Sequence, residues 1–112
     1  MKQFKNKVTE VNIPDVEKST EKELVTKPAT FADLALICVR APKEGGFSVE
    51  EMRKRFRIID ALEKVGETAT VKLEDQDASL LKEICLEFKW SNMHRDIIDF
   101  TDTMGKLKPV GK

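Results

Sequence analysis

The chain has 112 residues, 40% of them hydrophobic and 36% charged, and its 20 basic side chains balance 20 acidic ones to a formal net charge of zero. That length holds one domain with one modest core, and the balanced charge supplies no global field to draw the chain to nucleic acid or anionic lipid. The longest apolar run, Leu34 to Val39, falls far short of the roughly 20 residues that cross a bilayer, and no apolar stretch comes after the basic start, so the expectation is a cytoplasmic protein without a membrane partner.

Residues 1–30 differ in character from the remainder of the chain. Phe4, Val8, Val11 and Ile13 are apolar but hold no helical stripe, Pro14 and Pro28 punctuate the stretch, and Asp15 to Lys27 is a lysine- and glutamate-rich spacer. Val8 to Ile13 suits a short strand. The other residues of this stretch offer too little to bury to offset the entropy of ordering them. An extended or flexible arm is expected, with Phe4, Val8, Val11 and Ile13 as contacts for a partner.

Thr30 to Pro42 is the first core segment, and a continuous apolar run reads equally as buried helix or buried strand. Ile37, Cys38 and Val39 favour a strand, so a helical turn at Thr30 to Asp33 leading into a strand at Leu34 to Arg40 is expected, stopped by Pro42. Lys43-Glu-Gly-Gly46 is a loop without the glycine spacing of a phosphate-binding turn.

From Val49 to Val65 the pattern is helical. Ser48 with Glu51 forms a capping box, Phe47 is placed to staple against Met52, and Gly66 offers a left-handed stop. Val49, Met52, Phe56, Ile59 and Leu62 form a stripe, widened by Ile58 and Val65, that is assigned to the core. Arg53, Lys54, Arg55 and Arg57 form a candidate basic ridge on the same helix, partly neutralised by Glu50 with Lys54 and Glu51 with Arg55. A solvated face is the preferred reading of these charges.

Thr68 to Leu73 alternates as a half-buried strand, and Glu74-Asp-Gln-Asp77 opens a helix whose apolar positions are Leu80, Leu81, Ile84, Cys85 and Phe88. The acidic run departs from a calcium loop, with Leu80 where glycine is needed and Leu86 where a bidentate glutamate is needed. Trp90 marks a corner and is a candidate contact. Ser91 or Asn92 then caps a last helix with the stripe Met93, Ile97, Phe100 and Met104, extended by Ile98 and ended by Gly105. That helix carries Asp96, Asp99 and Asp102, the wrong sign for a DNA recognition helix. Residues 106–112 read as a basic flexible tail.

Chemistry-bearing residues do not converge. Cys38 and Cys85 lie 47 positions apart without metal-ligand spacing and read as small buried hydrophobes, while His94, the single histidine, has no nucleophile motif beside it. No enzyme, metal or cofactor is expected.

The segment from Leu34 to Met104, with Gly-Gly-Phe-Ser-x-Glu-Glu-Met-Arg-x-Arg, Ile-Asp-Ala-Leu-Glu-Lys, a Leu-Glu-Asp-x-Asp turn and a helix closing at Lys-Trp90, resembles small proteins encoded in tailed-phage genomes. The resemblance implies host-cytoplasmic synthesis, a place in the virion or its assembly, and action through contacts with other phage proteins or with further copies of the chain. It transfers no functional residue. The expected whole is an α+β domain over 31–105, with three helices on a strand pair made of Leu34–Arg40 and Thr68–Leu73, an arm at 1–30 and a tail at 106–112. The expected function is non-enzymatic protein interaction, with a regulator that binds host machinery or nucleic acid through the ridge as the alternative.

Overall fold

Thr30 decides how the first third of the chain joins the rest. Its Oγ1 accepts the Asp33 N–H at 3.2 Å and the Asp33 carboxylate accepts the Thr30 N–H at 2.9 Å, a complete capping box. The computed structural model describes residues 1–15, 20, 23–66, 69–91 and 93–109. In it the box starts helix α1, Phe31–Arg40, which runs straight through the expected strand at Leu34 to Arg40. Phe31, Ala32, Leu34, Ala35, Cys38 and Val39 are all buried on this helix. Burial on so much of its surface, with two further helices and a strand packed around it, explains the continuous apolar run. Ala41 turns extended (φ −61°, ψ 138°), as the succeeding Pro42 requires.

The expected arm is built into the fold. Strand β1, Lys2–Lys5, is the middle of a three-stranded antiparallel sheet, flanked by β4, Thr70–Leu73, and β5, Lys108–Pro109. Its register sets Lys2 against Leu73 and Lys5 against Thr70. Phe4 is 4% exposed and belongs to the core. One inward phenylalanine and backbone bonds on both edges supply what the low apolar content of the segment does not. β5 likewise orders the start of the expected loose tail; residues 110–112 lie outside the described residues.

Strands β2, Val8–Pro14, and β3, Thr26–Thr30, form a separate antiparallel pair with a register shift between Val8 and Asn12. Much of the expected spacer between them, residues 16–19 and 21–22, lies outside the described residues. Thr9 Oγ1 donates to the Ala29 carbonyl at 2.7 Å and accepts the Val11 N–H at 3.1 Å at that shift. Asn6, only 2% exposed, joins three segments. Its Oδ1 accepts the Ala32 N–H in the first turn of α1, its Nδ2 donates to the Gly66 carbonyl, and its own N–H donates to the Ala69 carbonyl.

With α2 at Val49–Glu63, two further helices, α3 at Asp75–Glu87 and α4 at Arg95–Gly105, complete an α+β domain of four helices and two small sheets among the described residues. β4 alternates as expected, with Val71 and Leu73 inward, but it pairs with β1 rather than with residues 34–40. On α4, Ile97, Phe100 and Met104 are buried, while Met93 is fully exposed and Ile98 is 63% exposed. The cap is His94, whose Nδ1 accepts the Asp96 N–H at 3.0 Å; Asn92 lies outside the described residues. Neither Gly66 nor Gly105 takes the expected left-handed stop: positive φ occurs only at Gly45 and Gly46 among the described residues, in the turn before α2. The core closes on an aromatic chain in which Phe100 meets Phe31 edge-on at 5.6 Å and Trp90 at 6.1 Å, with Phe88 behind Trp90 at 4.7 Å.

An outward apolar face on helix α2 as the candidate site

Helix α2 is capped by Ser48, which accepts the Glu51 N–H at 3.1 Å. The Glu51 carboxylate turns outward, taking Lys43 Nζ at 2.8 Å and Arg55 Nε at 2.9 Å. The hydrogen bond from Lys43 above all, with that from Arg55 and the charges of both, holds the Glu51 carboxyl below its usual pKa against the opposing effect of desolvation. Arg55 also donates to the Val39 carbonyl at 2.9 Å and lies 4.6 Å from the centre of the Phe47 ring. Phe47 is therefore held by a cation–π contact.

The stripe assigned to the core divides in two. Ile58, Ile59 and Leu62 are buried, but Val49 is 65% exposed, Met52 41% and Phe56 60%. Ile58 comes nine residues after Val49, which at about 100° per residue is half a turn away, so one helix cannot bury both. Val49, Met52 and Phe56 instead step by three and four along the opposite side, a second apolar seam that runs into the buried Ile59 at its core-facing edge. Beside it Val39, Arg40, Phe47, Met52, Phe56 and Ile59 line a groove of about 440 Å³ between α2 and the end of α1.

The basic ridge does not present a joint cationic surface. Lys54 pairs with Glu50 at 3.5 Å, Arg55 is tied to Glu51, and Arg57 reaches across to Asp77 on α3, with Nη2 to Oδ1 at 2.9 Å. The hydrogen bond to Asp77, then its charge, raises the Arg57 pKa further. Arg53 remains without an ionic partner among the described residues.

The other candidate contacts separate. Phe4 is core and unavailable to a partner in the folded chain, Val11 and Ile13 pack half-buried against it, and Trp90 is half-buried in the aromatic chain. Val8 is the exposed one, at 48%.

Three other clusters bear on chemistry. The buried thiols of Cys38 and Cys85 interact, and the hydrogen bond to Cys38 together with burial pushes the Cys85 thiol far above its ordinary range, so it stays protonated rather than becoming a nucleophile or metal ligand. Glu10, His94 and Asp96 bring one ligand atom each within 4.8 Å of the others. However, His94 Nδ1 is engaged in the cap, and Asp96 Oδ2 accepts the Glu10 N–H at 2.8 Å, so a strand-to-helix clasp accounts for the grouping. Finally, Lys5, Lys7, Lys106 and Lys108 line a groove of about 460 Å³. Sequence reading misses it because these lysines lie a chain length apart until β1 and β5 pair.

No protein-family model, curated protein or solved structure matches this chain. Among the described residues, no helix is long and apolar enough to cross a membrane.

Proposed function

We propose that the chain is a non-enzymatic protein–protein interaction module that docks through the outward face of α2. The observation that supports this reading is the seam of Val49, Met52 and Phe56, exposed on a helix whose other face is fully engaged in the core. Large apolar side chains clustered beside a groove are the kind of surface that contributes most when a partner covers it. The context proposed with it, a small phage virion component or assembly factor, draws its support from the residues between Leu34 and Met104 that carry the resemblance. In this reading contact passes through α2, since Lys2–Lys5, Val8–Pro14 and Thr26–Thr30 are already paired within the fold.

The test is the size of the complex that the chain forms in extracts of its native cells, compared with Phe56→Asp. The native chain is expected to migrate well above its monomer mass and the variant to fall to it. A native chain that migrates as a monomer, or a variant that keeps its complex, refutes the reading.

Nucleic-acid binding is a second reading, and its support lies in the lysine groove rather than the α2 ridge. On that reading Lys5→Glu combined with Lys108→Glu weakens binding of a single-stranded oligonucleotide, and affinity falls steeply with salt. An unchanged affinity in the double variant refutes it.

A further inference from the structure

Two charged residues of α2 stand out against a helix that otherwise satisfies most of its charges internally. Glu50 pairs with Lys54, Glu51 with Lys43 and Arg55, Arg57 with Asp77, and Glu63 with Arg40. Arg53 and Asp60 have no ionic partner among the described residues, and both are exposed. They carry opposite charge. Being seven residues apart, they lie two turns from each other on the same edge of the Val49–Met52–Phe56 seam.

The midpoint between positions 53 and 60 falls beside Phe56. If a second copy of α2 is laid antiparallel on the first, with the two-fold axis passing next to Phe56, Arg53 of each copy faces Asp60 of the other. In antiparallel helix pairs the equivalent edges of the two seams meet, which is what this pairing needs. In a parallel arrangement the edge that carries Arg53 and Asp60 would meet the other edge of the partner's seam, and the Arg53–Asp60 pairs would not form. The groove beside the seam, about 440 Å³ and floored by Met52, Phe56 and Ile59, provides room for apolar side chains of the opposing helix.

We infer that the occupant of the α2 face is a second copy of this chain, bound as an antiparallel, two-fold symmetric helix pair centred on Phe56 and registered by reciprocal Arg53–Asp60 ion pairs. This inference rests on the proposed role of the α2 face and names its partner. Such a contact is isologous: one patch serves both subunits, and two ion pairs form for each dimer. The apolar centre supplies affinity, and the flanking charges select the antiparallel orientation over the parallel one.

Sedimentation equilibrium of the purified full chain tests it. The native chain shows a monomer–dimer equilibrium, and Phe56→Asp, at a site already 60% exposed and so not needed for folding, weakens the dimer by about 30-fold or more. Arg53→Asp alone and Asp60→Arg alone each place two like-charge contacts in the dimer and weaken it by about 10-fold. An equimolar mixture of those two variants pairs opposite charges again at both contacts, and the mixed dimer forms more tightly than either variant's own dimer, by about tenfold. A native chain that stays monomeric up to about 1 mM overturns the inference, as does a mixture no tighter than its components. If the purified chain is monomeric while Phe56→Asp still dissolves the complex in cell extracts, the second copy is excluded and the α2 face keeps its role for a different protein.

Discussion

Replacing Phe4 by alanine tests whether the first strand is part of the domain or an arm laid against it. Phe4 is 4% exposed and sits on the middle strand of the three-stranded sheet, in the same apolar cluster as Val71, Leu73 and Phe31. Truncation removes about 150 Å² of buried apolar surface, which at about 25 cal/mol per Å² amounts to about 4 kcal/mol, inside the range of about 3–5 kcal/mol found for phenylalanine truncation in cores. A domain of this size is stable by about 5–15 kcal/mol, so the loss is a large share of the total. Urea unfolding monitored by the fluorescence of Trp90, which packs edge-on with Phe88 and Phe100, reads the change directly. With a slope near 2 kcal/mol per molar urea, the midpoint should fall by about 2 M. Val8→Ala, at a position 48% exposed, is the control and should shift stability by less than about 0.5 kcal/mol. A Phe4→Ala effect as small as the control would refute the built-in strand.

Single contacts yield further outcomes. Asn6→Ala removes side-chain bonds to the Ala32 N–H and the Gly66 carbonyl, and should cost about 2–4 kcal/mol by the same urea assay; a loss under about 1 kcal/mol would mean that water replaces it freely. His94→Ala removes the cap of α4 at a cost of about 1 kcal/mol, and His94→Asn, a strong capping residue, should recover most of it. The Glu51 carboxyl has a folded-state pKa below its unfolded value, so its ion pairs with Lys43 and Arg55 stabilise the fold above the unfolded pKa and lose that effect as pH falls through the folded one. Glu51→Gln should therefore be less stable than the native chain at neutral pH and indistinguishable from it in strong acid. A gap that persists at about pH 2–3 would count against the ion pairs as its cause.

What is legible in the sequence is whatever local chemistry decides. The start of α2 at Ser48, the alternation of β4 and the apolar positions of α3 all derive from caps and periodicity, and each is found in place. Residues 34–40 read wrongly because a helix buried on most of its surface blurs the period that would identify it, and the β-branched side chains of Ile37 and Val39 outweigh the Thr30–Asp33 box when only local propensity is considered. The first strand is illegible for a different reason. Its stability comes from β4 and β5 across the sheet, and no local property of Lys2–Lys5 records those neighbours. The site is the most informative miss: Val49, Met52 and Phe56 merge with Ile58 and Leu62 into one stripe on the page, although half a turn separates Val49 from Ile58. A helix with apolar residues on opposite faces has more than its own core to cover. Asn6 carries no signal, since an asparagine between two lysines in a polar stretch reads as solvent-facing.

The position of β1 also constrains when this protein can fold. Lys2 pairs with Leu73 and with Pro109, so during synthesis the first strand must wait for some seventy residues before its nearest partner exists and for over a hundred before its second edge is closed. Long-range pairings of this kind raise contact order and slow folding, because the chain between them has to be ordered or looped first. Until then Phe4 is exposed on a nascent chain and Asn6 has no Gly66 to hold. A chain that ends before residue 70 has α1 and α2 but neither partner strand of β1, so the apolar surface that the three-stranded sheet covers stays open in it.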